Sequence, residues 1–118
     1  MSLSWSYDVS GDVLVLHLAG YLGVESVARF DGALGWVLAQ QPSAVVIDTA
    51  GLFGWSSEGQ GAVADAARLI CQCGVRVCLC GTSRLSPPAA APAGASSVQR
   101  DVAAALVALE PGTRAQRV

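Results

Sequence analysis

Asp48-Thr49-Ala50-Gly51-Leu52-Phe53-Gly54-Trp55-Ser56-Ser57-Glu58-Gly59-Gln60-Gly61 is the stretch on which the reading of the fold turns. Just before it, Ala44-Val45-Val46-Ile47 is a short β-branched run that reads as a buried strand ending in the carboxylate of Asp48. Thr49 to Trp55 contains Gly51 and Gly54 and predicts a loop. Past the paired serines, from Glu58 to Cys73, Val63, Ala66, Ala67 and Ile70 fall on one helical face and Asp65 and Arg68 on the other, with Gly74 as the cap. Ser57-Glu58-Gly59-Gln60 has the form of a capping box, with Ser57 at the N-cap and Gln60 at N3. The stretch is therefore a strand, a loop and a helix start.

Upstream, Leu3, Trp5, Tyr7 and Val9 alternate with Ser4, Ser6 and Asp8, which predicts a strand. Ser10-Gly11-Asp12 turns the chain into the nearly continuous apolar run Val13–Ala19, a central strand, and Gly20-Tyr21-Leu22-Gly23 closes the unit. Val24 to Gln41 reads as a helix with Val27, Phe30, Leu34, Val37 and Leu38 inward, Trp36 at the edge of that stripe, and Pro42 as the stop. Downstream, Val75–Cys80 is another strand, ended by Gly81. Ser86–Gly94 is Pro/Ala-rich and turn-like. Ser97 opens a last helix, Val98–Leu109, which Pro111-Gly112 ends. Strands and helices in this alternation predict one α/β domain over residues 1–110, a mixed sheet of about four to five strands packed by about three to four helices, with a frayed tail over 111–118.

Composition narrows the function. The 118 residues are 53 % hydrophobic and 14 % charged, the balance of a chain with a sizeable core rather than a disordered one. Net charge is −2 and all 7 basic residues are arginines that form no patch, which argues against nucleic-acid binding and against a polybasic membrane anchor. The N-terminus has no basic, then apolar, leader pattern, and no apolar run approaches the roughly 18 residues that span a bilayer. A cytoplasmic protein with four reduced cysteines is the expectation.

The order and spacing of these segments resemble the STAS family, the anti-sigma-factor antagonists and their relatives, over nearly the whole chain up to Arg84. Asp48 falls on the family's strand-end Asp, Ser57 on the serine that the family's kinases phosphorylate, and Gly59 and Gly61 on the two glycines of the turn into the helix. Asp12–Leu22 resembles the second strand and its Gly-x-Leu-Asp close, and Gly74–Leu79 resembles the strand after the phosphosite helix. Gly23 stands where the family has the Asp of that close, Ser56 where it has the loop Asp, and Glu58 where it has a second Ser/Thr. The resemblance implies a non-enzymatic regulator that binds an ATP-dependent anti-sigma serine kinase, is switched off by phosphorylation of Ser57 (Ser56 being the fallback acceptor) and is restored by a phosphatase. It implies partner contacts through Phe53, Trp55, Ser56, Glu58 and Gln60, and no cofactor. A scaffold domain of the same fold without phosphorylation is the alternative that the three departures support, and a small-ligand module is a third.

Elementary chemistry gives each of these residues a plainer role. Ser57 can be a helix cap alone. A phosphate there would add a charge of roughly −1.5 to −2 at a helix N-terminus whose dipole tolerates it, so modification need not unfold the domain. Glu58 would supply a fixed negative charge beside it. Trp55 can be a docking residue or a core plug. Cys71, Cys73, Cys78 and Cys80 are spaced too tightly for a structural zinc site and read as buried small hydrophobes. His17, Asp48 and the serines hold the letters of a hydrolase triad, but Gly54-Trp55-Ser56-Ser57-Glu58 is not a nucleophile elbow. His17, inside an apolar strand, reads as a satisfied sheet-face or core histidine. Gly59 and Gly61 read as points of close helix packing.

Overall fold

The sheet is built around β2 (Val13–Leu22) and β3 (Ala44–Trp55), its two longest strands. The computed structural model describes residues 2–81, 97–99 and 101–109. β1 (Leu3–Ser10) pairs antiparallel with β2 in an unbroken register from Leu3↔Gly20 to Ser10↔Val13. β3, β4 (Arg76–Cys80) and β5 (Ser97–Gln99) follow in parallel, giving one five-stranded mixed sheet in the order β1-β2-β3-β4-β5. A 3₁₀ turn (Val24–Ser26) and α1 (Val27–Ala39) return the chain from β2 to β3. α2 (Ser57–Gln72) returns it from β3 to β4, and α3 (Val102–Leu109) follows β5.

Strand alternation sorts the apolar residues into two cores. Leu14, Leu16, Leu18, Val45, Ile47, Val77 and Leu79 face Phe30, Leu34 and Val37 of α1 and Val63, Ala66, Ala67 and Ile70 of α2. On the other face Val13, Val15, Ala44, Val46, Cys78 and Cys80 lie under Ala105 and Leu109 of α3. The inward face expected for α2 is the one observed, and Gly74 takes φ 80° as its cap. Trp36 is half-buried and packs its ring against Trp5 and Tyr7 at centroid distances of 5.6 and 4.5 Å.

Four boundaries differ from the sequence expectation. The segment read as a loop, Thr49 to Trp55, is the second half of β3, and Gly20-Tyr21-Leu22 is the matching end of β2. The two extensions pair with each other through register shifts between His17 and Ala19 and between Gly20 and Tyr21. Gly51 is needed there because a Cβ would sit 2.7 Å from the Leu18 carbonyl oxygen, so a glycine that signals a loop is in fact a bulge residue at a close strand approach. The first helix opens with a 3₁₀ turn and ends at Ala39, short of Gln41. Ser97 opens the short parallel strand β5 rather than a helix, and α3 begins only at Val102, with Asp101 accepting the Ala104 N–H at 2.9 Å. The expected turn over Ser86–Gly94 and the tail over 111–118 lie outside the described residues.

Candidate functional site

The C-terminal ends of β2 and β3 deliver the chain to the N-terminus of α2. Ser56 is fixed from both sides: its backbone N–H donates to the Leu22 carbonyl at 3.0 Å, and Trp55 beside it is only 3 % exposed. The helix consequently starts one residue before the position that the capping-box pattern suggests. Ser56, with an extended backbone (φ −88°, ψ 173°), is the N-cap, and its hydroxyl accepts the Gly59 N–H at 3.1 Å. Ser57 is the first helical residue and is exposed, and its hydroxyl has no hydrogen-bond partner among the described residues. Glu58 is exposed beside it and Gln60 is half-buried.

Of the expected contact residues, the structure sets Phe53, Ser56, Glu58 and Gln60 around the start of α2, beside the expected phosphosite Ser57, and removes Trp55 from the surface. Trp55 is part of the core, because the register shift between Gly20 and Tyr21 interrupts the alternation of β3 and lets Trp55, three residues after Leu52, join it inward. Phe53 is 67 % exposed and rests on the ring of Tyr21 at a centroid distance of 5.7 Å. Sequence reading missed two neighbours. Tyr21 and the 65 % exposed Val24 line, with Gly23, Glu25, Ser26 and Ser56, a groove of about 370 Å³ beside the start of α2. Val24 carried a signal: it lies ahead of the periodic stripe that begins at Val27, so it has no core position to fill. The Tyr21 ring also bears on Gly23, where a Cβ would meet it at 2.7 Å, so a larger residue there would displace the aromatic pair. Gly59 is the point of helix packing expected, since its Cβ would fall on the Leu22 carbonyl; Gly61 opens onto empty space and is not.

The triad letters do not assemble. His17 lies opposite Asp48 in register, while the serines follow Trp55, which pairs with Leu22 further along the sheet. The His17 Nδ1 is 2.7 Å from Asp48 Oδ2 and its Nε2 is 2.8 Å from Asp8 Oδ2, so both ring nitrogens are occupied. This is the satisfied sheet-face histidine that the sequence suggested. Asp48 also accepts the Ala50 N–H at 3.0 Å, and the Cys80 thiol points at it from 3.7 Å. Burial, reinforced by the Asp48 charge, pushes the Cys80 thiol up to about 12, so it stays protonated and is no nucleophile. Cys78 is buried like Cys80, but Cys71 and Cys73 are exposed at the end of α2, contrary to the expectation of four buried thiols. No group of three or more His, Cys, Asp or Glu side chains suited to a metal occurs among the described residues.

A family model for the STAS domain matches residues 4–85, and the chain belongs to that family. The solved structures it resembles include the anti-sigma factor antagonist SpoIIAA in its unphosphorylated form, at 20 % identity and TM-score 0.56, covering 68 % of this chain and 74 % of that one. An anti-sigma factor antagonist from Mycobacterium paratuberculosis gives 22 % identity and TM-score 0.58, with 69 % and 70 % covered. The crystal structure of Mglu gives 26 % identity and TM-score 0.57 over 63 % of this chain, which spans only 18 % of that much longer one. Comparison with curated proteins returns no match. No helix among the described residues is long and apolar enough to cross a membrane.

Proposed function

We propose that this domain is an anti-sigma factor antagonist-like regulator that works by binding a protein partner and is switched at Ser57. The observation that carries the reading is the division of labour between the two serines. Ser56 holds the cap, so Ser57 stands exposed on the first turn of α2 with a hydroxyl available for transfer. The partner is an ATP-dependent anti-sigma serine kinase that would dock on Phe53, Ser56, Glu58 and Gln60 together with Tyr21 and Val24. In the cytoplasm, a phosphatase would reverse the modification. A phosphate on Ser57 would sit at the positive end of the helix dipole and leave the fold intact. It would also set two negative charges, its own and that of Glu58, against whatever surface binds there, which favours release of the partner. The domain would act over residues 1–110 without catalysis of its own.

A second reading is a scaffold domain that is never phosphorylated. Glu58, a fixed charge next to Ser57, and Gly23 and Ser56, where the family carries acids, favour it. Incubation with an anti-sigma serine kinase and ATP, followed by intact-mass measurement and fragmentation, separates the two. The switch requires one phosphate on Ser57, lost in Ser57→Ala and retained in Ser56→Ala. An unmodified protein that still binds the kinase, with binding reduced by Phe53→Ala, is the scaffold result.

A further inference from the structure

On the sheet face away from α1 and α2, the register sets Ser6, His17, Asp48, Cys80 and position 99 opposite one another across all five strands. The His17 ring lies between two carboxylates from different strands, Asp48 on β3 and Asp8 on β1. An ionised carboxylate only accepts, so a ring bonded to one on each side must donate from both nitrogens, and the form that does so is the imidazolium. We propose that His17 is a proton-operated clasp: when protonated it ties the edge strand β1 to β3 across β2, and on losing its proton it keeps Asp48 and lets go of Asp8.

The surroundings decide which bond survives. Asp48 is only 13 % exposed and is fixed by the Ala50 N–H and the Cys80 thiol, whereas the Asp8 side chain is 76 % exposed and has no other partner among the described residues. A neutral ring has one N–H to give. Donating it from Nδ1 to Asp48 spares the more buried carboxylate, and the Nε2 lone pair left facing Asp8 repels it into water. Among the described residues, the other groups around the ring do not compete. β1 contributes the Ser6 hydroxyl opposite, β4 the protonated Cys80, and α3 no ionisable side chain. Asp101 ahead of α3 adds a negative charge that is felt at Cys80. Partial burial lowers the proton affinity of His17, but hydrogen bonds to Asp48 and Asp8 and their charges outweigh it, and its pKa is raised above the ordinary 6.5. The clasp is therefore closed below about pH 6.5 and opens as pH climbs through the raised value.

The chain has 1 histidine, so ¹⁵N NMR of the whole protein reads the ring without assignment ambiguity. Both ring nitrogens should be protonated at pH 6, the midpoint should lie above 6.5, and the neutral form should keep its proton on Nδ1. Over the same titration the amide protection factors of Ser6 to Val9 should fall by about tenfold relative to those of β4, the order expected for loss of one charge-assisted hydrogen bond. Asp8→Asn, a change at an exposed position, should lower the midpoint and make β1 protection independent of pH. A midpoint at or below 6.5, β1 protection that tracks β4 at every pH, or a midpoint unmoved by Asp8→Asn would each overturn the clasp.

Discussion

Replacing Ser56 with Ala removes the hydroxyl that accepts the Gly59 N–H, and stability to urea should fall by about 1 kcal/mol, the usual worth of a helix N-cap. Ser57→Ala, one residue on, should change stability by less than about 0.5 kcal/mol, because the exposed hydroxyl bonds to nothing among the described residues. The pair separates a structural serine from one available for modification, a distinction that motif matching alone reverses. Trp55 and Phe53 form a second such pair two residues apart. Trp55→Ala empties a core position and should cost about 3–5 kcal/mol in a thermal or urea melt. Phe53→Ala should leave the melt within about 0.5 kcal/mol of the parent and act on partner binding instead.

At the scale of elements, α2 is held against β2 by the absence of a side chain. Gly59→Ala would drive a methyl group into the Leu22 carbonyl and should destabilise by about 1–3 kcal/mol or more, whereas Gly61→Ala, facing open space in the same helix, should stabilise by about 0.5–1 kcal/mol. Measured side by side, the two give opposite signs for the same change. The helices and the first halves of the strands were legible in the sequence because their periodicity is local: the stripe Val63-Ala66-Ala67-Ile70 and the run Val45-Val46-Ile47 each announce a face without reference to the rest of the chain. The second half of β3 was not, since Gly51 and Gly54 signal a loop locally and become strand residues only where β2 extends alongside to pair with them. β5 was hidden for a similar reason. Ser97–Gln99 is too short to show alternation and is a strand only because Cys78–Cys80 offers an open edge. At the site, a resemblance carried by spacing pointed to Ser57, which the structure leaves exposed on the first turn of α2. The contribution of Tyr21 and Val24 depends on where β2 ends in space, which no local pattern encodes.

For the whole molecule, the two cores make a simple test of the sheet's layering. Cys71 and Cys73 should react with a maleimide in the native protein within the time of ordinary labelling, while Cys78 and Cys80, under α3, should label only in denaturant, so native mass spectra should stop at two adducts. Four adducts under native conditions would mean that α3 does not cover its face.

The row that contains His17 and Asp48 also bears on how the strands find their alignment. Slipping β2 by one residue against β3 would turn its apolar side chains to the wrong face and is forbidden by the hydrophobic pattern alone. A slip of two keeps every face correct. Val15 would sit opposite Ala44 and His17 opposite Val46, contacts that small apolar residues accept without protest. What such a slip cannot preserve is the ionic pair: Asp48, mostly shielded from water, would be left facing Ala19 with no cation in reach. In a sheet whose central strands are otherwise interchangeable runs of Val, Ala and Leu, that one charged pair acts as a key that fits a single notch, and it excludes the misalignment that hydrophobicity cannot distinguish.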